Sequence, residues 1–518
     1  MQVLMVAAEN DALPGGKVGG IGDVIRDVPR ALADLGHGVT VLTPGYNAFS
    51  KLPGAKLLKQ FQVAFAGAQE NISLFAVPGR ETIDGVSHWV LEHPLFAIGG
   101  AGQIYCHDAD DRPFATDASK FALFSSAAAE LVKLGILPEL DVVHLHDWHA
   151  ALFAVLRRHD PAYSALQNTR VVYTIHNLSL QGIRPLHGDL SSFYHWFPQL
   201  HLDESSIVDP RYADCVNLAR AGINLSDRVH AVSPTYSAEI QQPSNADRGF
   251  VGGEGLEGDL LRASHEGRLH GILNGAEYPE LVMPAPSRKE LFKLCLLAVK
   301  GLQSDPGTSH SANVVAEKRL QAWLENPMPE SMLLTSVGRI TGQKMDLLTA
   351  RSALGVSALE AMLSSYKDSM RLLVLGSGDE RLEGFLSYAA ERNANMVYIA
   401  GYAEQLSDAI YAGGDLFLMP SSFEPCGISQ MLAMRSSQPC LVHGVGGLRD
   451  TIDDGETGFV FTGETREQQV TAMLAKIDEA VKVKVQDAAR WRDMRKAAGA
   501  KRFLWNETVT QYIDHLYS

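Results

Sequence analysis

The chain has 518 residues, of which 46% are hydrophobic and 20% charged, and its net charge is −15. This is the composition of a globular protein of two to four domains at roughly 100–200 residues each, not of a disordered one, and its acidity makes nucleic acid and anionic lipid poor partners. Five scattered cysteines without CxxC spacing exclude a disulfide framework or a structural zinc site and fit a reducing cytoplasm, while no apolar run approaches the ~18 residues of a membrane span.

The opening residues MQVLMVAAEN have no leading positive charge and read as a first strand, not as a signal peptide. Short apolar runs then recur between polar or glycine-rich turns. In the first half they are Val3–Ala8, Val39–Thr43, Val142–His146, Val171–Ile175 and Arg228–Val232. In the second half they are Met332–Val337, Arg371–Leu375, Met396–Ala400, Asp415–Met419 and Cys440–Val442. Such runs are too short for helices and too apolar for strands with one wet face, which is the pattern of a parallel sheet buried on both sides.

Between them lie segments with helical spacing, among them Gly22–Leu35 and Lys120–Leu134. Alternating strand and helix implies a doubly wound α/β sheet. The pattern occurs twice, with a polar stretch at Gln303–Asn313 separating the halves, so two α/β domains are expected. The last segment, Arg502–Tyr517, carries Trp505, Val509, Tyr512 and Leu516 at spacings of three or four and reads as an amphipathic helix.

Ligands of open α/β sheets sit at the carboxyl ends of strands, so the loops there are the informative ones. Leu13–Asp23 (LPGGKVGGIGD) combines Gly19, Gly20 and three more glycines with Lys17 at a helix start, which is either a structural turn or an anion site. It lacks the spacings of a Walker A loop and of a dinucleotide fingerprint. His144–Ala150 (HLHDWHA) clusters three histidines with Asp147; a polar pocket floor is favoured over a metal site, since no cysteine joins them. His176, in TIHNLSLQG, follows a buried strand and either faces the ligand or is a satisfied structural group. Arg339 and Lys344, in SVGRITGQK, can neutralise a diphosphate without a metal, unless the loop is a solvated basic turn. Glu424 precedes a Pro-Cys-Gly turn, and the main-chain N–H groups of Gly427, Ile428 and Ser429 are expected to form a second anion site at a helix start. GVGGLRD, Gly444–Asp450, offers another close backbone approach, and Asp108, Asp110 and Asp111 imitate a metal-binding DxD element but read as surface structure.

The motifs KVGGIGD, HDWHA, TIHNLSLQG, VSPTYS, GILNGAE, GRITGQK and FEPCGISQ, in this order from Lys17 to Asp450, closely resemble the bacterial and plant glycogen and starch synthases. The resemblance implies a GT-B fold, with two Rossmann-like domains facing across a cleft. Residues 1–275 would form the acceptor-side domain, 276–499 the nucleotide-sugar domain, and 500–518 a helix packing back on the first. It implies transfer of glucose from a nucleotide sugar, usually ADP-glucose, to an α-1,4-glucan with retention and without a metal or other cofactor. By the same resemblance Arg339 and Lys344 hold the donor diphosphate, and Glu424 is the essential glutamate, as nucleophile or as positioning group. His176 contacts the transferred glucose, and the loop of Lys17, Gly19, Gly20 and Asp23 closes over the donor. Asn274 and Tyr402 fall at donor positions, Asp147 and His149 near the sugar and acceptor. The sequence departs from the family at Ala276-Glu277, at Ser436-Ser437-Gln438, and at Gly444–Gly447, which leaves the donor base open between ADP and UDP. A related glycosyltransferase with another acceptor, and a non-catalytic glycan-binding relative, are the alternatives.

Overall fold

The computed structural model describes residues 1–278, 284–304 and 311–518. Backbone contacts divide the chain into two units: unit 1 is Met1–Ser244, Gly252–Gly275 and Trp505–Ser518, and unit 2 is Asn245–Val251 and Ala276–Leu504. The polar stretch at 303–313 is therefore not a boundary. Residues 305–310 lie outside the described ones, and the helices on either side, Arg288–Ser304 and Ser311–Glu325, both belong to unit 2.

Unit 1 is built on the strands β1 (Gln2–Val6), β2 (Gly38–Pro44), β3 (Lys56–Phe65), β4 (Ala68–Val77), β5 (Val86–Glu92), β6 (Val142–His146) and β7 (Arg170–Ile175). After a small antiparallel ribbon of β8 (Ile183–Pro185) and β9 (Cys215–Asn217), β10 (Arg228–Ala231) and β11 (Leu269–Gly271) complete it. The main sheet runs β11-β10-β7-β6-β1-β2-β5-β4-β3 and is parallel except at β3–β4 and β4–β5. The expected strands sit at its centre. Strands β3 to β5 escaped because they are not continuous apolar runs: β3 exposes its first half and then alternates Phe61, Val63 and Phe65 inward, as one-sided antiparallel strands do.

Unit 2 has six parallel strands, β12 (Met332–Val337), β13 (Met370–Gly376), β14 (Met396–Ala400), β15 (Leu416–Met419), β16 (Cys440–His443) and β17 (Gly458–Phe461), in the order β14-β13-β12-β15-β16-β17. Strand order reverses between β12 and β15 here, and between β1 and β6 in unit 1, and a crevice for ligands opens where the order reverses. Among the described residues no helix is long and apolar enough to cross a membrane.

The C-terminal helix spans Trp505–Tyr512 and ends in a wider turn at Ile513–Tyr517. Trp505, Val509, Tyr512 and Leu516 are buried in one cluster with Val24 and Val28 of the Gly20–Asp34 helix. Trp505 Nε1 also donates to Asp27 at 3.0 Å. The last turn is tied to the sheet by a chain of hydrogen bonds whose direction can be worked out. His230 Nε2 faces the Ile272 carbonyl at 3.0 Å and must donate. Its neutral Nδ1 then accepts from the Thr174 hydroxyl at 3.0 Å, and Thr174 accepts from His144 Nε2 at 2.6 Å. His144 Nδ1 is left to accept from the Tyr517 hydroxyl at 2.8 Å. Burial keeps both rings neutral, with His230 lowered to about 4 and His144 well below its usual range. Tyr517→Phe leaves a buried acceptor unpaired, which costs about 1–3 kcal/mol, so the variant should melt a few degrees lower. An unchanged melting curve would remove this anchor.

Candidate active site

In unit 1 the first glycine-rich loop is not an empty anion cradle. Glu9, just past β1, places Oε2 at 2.9 Å from the Val18 N–H and 2.6 Å from the Gly19 N–H, so the chain's own carboxylate occupies the start of the Gly20–Asp34 helix. Tyr105 donates to Glu9 Oε1 at 2.8 Å. Lys17 lies 2.6 Å from Asp23. The N–H groups of Val18 and Gly19 at this helix start are thus spoken for. Glu9 was missed because a carboxylate several residues before a loop has no spacing rule. Gly20 stays open: a Cβ built there meets nothing within 4 Å.

At the end of β6 the backbone turns through Asp147 in a left-handed conformation, φ 55°. Its Oδ1 accepts from the His176 N–H at 2.7 Å, joining the loops after β6 and β7. His146 Nδ1 and His176 Nε2 are 3.0 Å apart and the rings are stacked. His149 is buried against Tyr105, Phe121 and Trp148, and burial lowers it to about 3. Three buried groups here, His146 Nε2, Trp148 Nε1 and His149 Nδ1, have no hydrogen-bond partner among the described residues, and Asn274 Oδ1 is in the same position after β11. Of the histidine cluster, His144 is not pocket floor: both its nitrogens are used in the chain to Tyr517. Among the described residues no group of three or more side chains is placed to hold a metal. Asp108 bonds the Thr116 N–H and hydroxyl at the start of the Ala115–Lys133 helix, a capping contact.

Burial lifts the Asp147 carboxyl to about 7, against the lowering effect of the His176 and Asn177 N–H groups. The folded value lies above the unfolded one, so the native state holds this proton more tightly than the unfolded chain. The stability so gained is complete below about pH 4 and is lost as pH rises through about 7. Asp147→Asn keeps an acceptor for His176 and cannot ionise. It should therefore gain on the wild type between pH 5 and pH 8 by up to a few kcal/mol, read as a melting-temperature difference that moves in the variant's favour as pH rises. Parallel melting curves across that range would contradict it.

In unit 2, Arg339 and Lys344 flank the start of the Gly342–Thr349 helix after β12, and Glu424 lies in the loop after β15, so the order reversal brings all three together. With Ser421 and Met419, Arg339 and Lys344 line a cavity at the carboxyl ends of β12, β13 and β15. Lys344 Nζ stands 3.9 Å from Glu424 Oε2, and the buried Glu424 accepts from Ser421 Oγ at 2.9 Å. The Ser421 carbonyl is held by His443 Nδ1 at 2.9 Å, and the Glu424 carbonyl by the Gly447 N–H at 3.1 Å. Arg339 is exposed, and its guanidinium has no partner among the described residues.

Gly427 takes φ 75°, where a side chain would be strained and would strike Gln430. No backbone carbonyl among the described residues takes the N–H groups of Gly427, Ile428 or Ser429, which precede and open the Ser429–Arg435 helix. The close approach expected of Gly444–Asp450 is made to the chain itself: a Cβ on Gly447 would lie 2.2 Å from the Cys426 carbonyl oxygen. Tyr402 does not join this group directly. It is exposed and follows the edge strand β14, two strands or about 10 Å from β12.

Residues 2–262 match the starch synthase catalytic domain, and 337–479 match the glycosyl transferases group 1. The chain is 34% identical to a glycogen synthase of Anaeromyxobacter sp. over 99% of its own length and 98% of that protein's. The chain belongs to the glycogen and starch synthase family. It is 30% identical to a glycogen synthase of Streptococcus gordonii, with 99% of each chain covered. Among solved structures it is similar to the catalytic domain of starch synthase IV from Arabidopsis thaliana bound to ADP and acarbose, at a TM-score of 0.75 and 25% identity over 100% of this chain and 98% of that one. A sucrose-phosphate synthase from Thermosynechococcus elongatus shares the fold at a TM-score of 0.56 and 16% identity, over 99% of this chain and 97% of its own. The enzyme has the GT-B fold and is a glucosyltransferase of the glycogen and starch synthase type.

Proposed function

We propose that the enzyme transfers glucose from ADP-glucose to the non-reducing end of an α-1,4-glucan, with retention and without a metal. The observation that carries this reading is the meeting of Arg339, Lys344 and Glu424 at the β12/β15 reversal of a chain whose starch synthase neighbour binds ADP and acarbose. Departure of a nucleoside diphosphate builds negative charge, and fixed cations stabilise it better than water can. Arg339 and Lys344 supply those cations in this scheme, with the N–H groups of Gly427, Ile428 and Ser429 beside them and Tyr402 further out. Lys17, Gly19, Gly20 and Asp23, with Asn274, serve the donor, and the unpartnered ring nitrogens around Asp147, His149 and His176 are where hydroxyl-rich sugar finds hydrogen bonds. Free cysteines throughout suit a cytoplasmic location.

The test offers ADP-glucose or UDP-glucose with a glycogen primer and measures chain elongation. Faster incorporation from ADP-glucose, unchanged by EDTA, is expected. A preference for UDP-glucose overturns the donor, and no incorporation from either overturns the reaction in favour of glycan binding alone.

A further inference from the structure

A second feature of unit 1 lies away from these loops, at the opposite ends of the same strands. Asp141 precedes β6, Arg170 and Arg228 are the first residues of β7 and β10, and Arg268 precedes β11; all four line one open groove of about 1150 Å³. Seven arginines line this groove against three carboxylates, Asp141, Asp227 and Glu266. A net positive groove on a chain of charge −15 is not a sampling of its surface.

The arginines divide into two sets. One set is built into the wall. Arg157 bonds the carbonyls of Leu166 and Gln167 and pairs with Asp227 at 3.0 Å. Arg268 bonds the carbonyls of Ile223 and Ser226. Arg220 and Arg262 share Asp259. The other set has no carboxylate partner among the described residues: Arg158 and Arg170 make no side-chain hydrogen bond there, and Arg228 bonds only the Asp227 carbonyl. Ser226 also lines the groove, with its hydroxyl buried beneath the surface and unpartnered among the described residues. A wall carrying uncommitted guanidinium forks is built for a ligand with several anionic oxygens.

We propose that this groove binds a small oligophosphate, a ligand with at least two linked phosphoryl groups, at Arg158, Arg170 and Arg228. Among the described residues no aromatic ring lines the groove, so a glucan finds no stacking platform there. The acidity of the whole chain opposes a long nucleic acid, whose backbone would run past the groove onto negative surface. The groove lies at the opposite ends of the unit 1 strands from the unit 1 loops described above, and the inference does not rest on the donor proposed above.

Inorganic pyrophosphate is the probe, titrated by calorimetry in EDTA into the full chain. It has a second place to go, the Arg339 and Lys344 cations, so the decisive titrations use Lys344→Ala and saturating ADP. Binding is expected to persist in both. Arg158→Ala and Arg170→Ala should each weaken it by about tenfold, the scale of one charge-assisted contact, and leave melting temperature and basal glucosyl transfer unchanged. Loss of all pyrophosphate binding in Lys344→Ala or under ADP overturns the site, as does indifference to both arginine changes. A 20-nucleotide strand that binds more tightly than pyrophosphate through the same arginines reassigns the groove to nucleic acid and equally overturns the proposal.

Discussion

Lys344→Ala is expected to lower kcat by at least about a hundredfold, the scale of losing one preorganised charge-stabilising group. The ammonium sits on the first turn of the Gly342–Thr349 helix, and Gly338, whose Cβ would lie 3.4 Å from Nζ, leaves it room to move toward a ligand. Among the described residues of unit 2 its only near carboxylate is Glu424 at 3.9 Å, too long for a hydrogen bond, so the cation is held in the cavity without being neutralised tightly. Charge on a departing diphosphate develops in the transition state, and the interaction it gains there should appear in kcat more than in KM. Lys344→Arg keeps the charge but replaces a compact ammonium by a planar fork, and recovery should be partial. The alanine variant should melt close to the wild type, since a long, partly exposed ion pair contributes little. Near-normal turnover in Lys344→Ala removes it from the machinery.

Much of this site could be read in the chain because its parts are local. Arg339, Lys344 and Glu424 each follow a short buried strand, and a parallel sheet puts all such loops at one end. The central strands were legible for the same reason: burial on both faces leaves a continuous apolar run. What stayed hidden needed partners distant in sequence. Glu9 acquires its meaning only when β1 and the Gly20–Asp34 helix bring Val18 and Gly19 to it. His144 reads like a pocket residue beside His146, yet it is turned over to Tyr517, 373 positions away. Alternating strands such as β3 look like loops until a neighbour covers one face. The polar stretch at 303–313 resembled a linker, while the division at 275/276, which composition does not mark and only the family resemblance implied, falls in an unremarkable GAE run.

Glu424→Ala should also lower kcat by about a hundredfold or more, and the manner of the loss distinguishes its two possible roles. Retaining glycosidases with a covalent intermediate use two carboxylates about 5 Å apart; within unit 2 the charged group beside Glu424 is a lysine. The carboxylate is also fixed from several sides, through Ser421 Oγ, through His443 on the Ser421 carbonyl and through Gly447 on its own carbonyl. Fixing a carboxylate this firmly suits a group that orients a sugar hydroxyl. On that basis Glu424→Gln, which retains an acceptor for Ser421, should keep more activity than Glu424→Ala, and added azide should rescue neither. A nucleophile behaves the other way: glutamine is as inactive as alanine, and azide attacks the anomeric carbon in the space vacated by the alanine variant, giving a glucosyl azide of inverted configuration. Detection of that azide would assign Glu424 as nucleophile and end the positioning role.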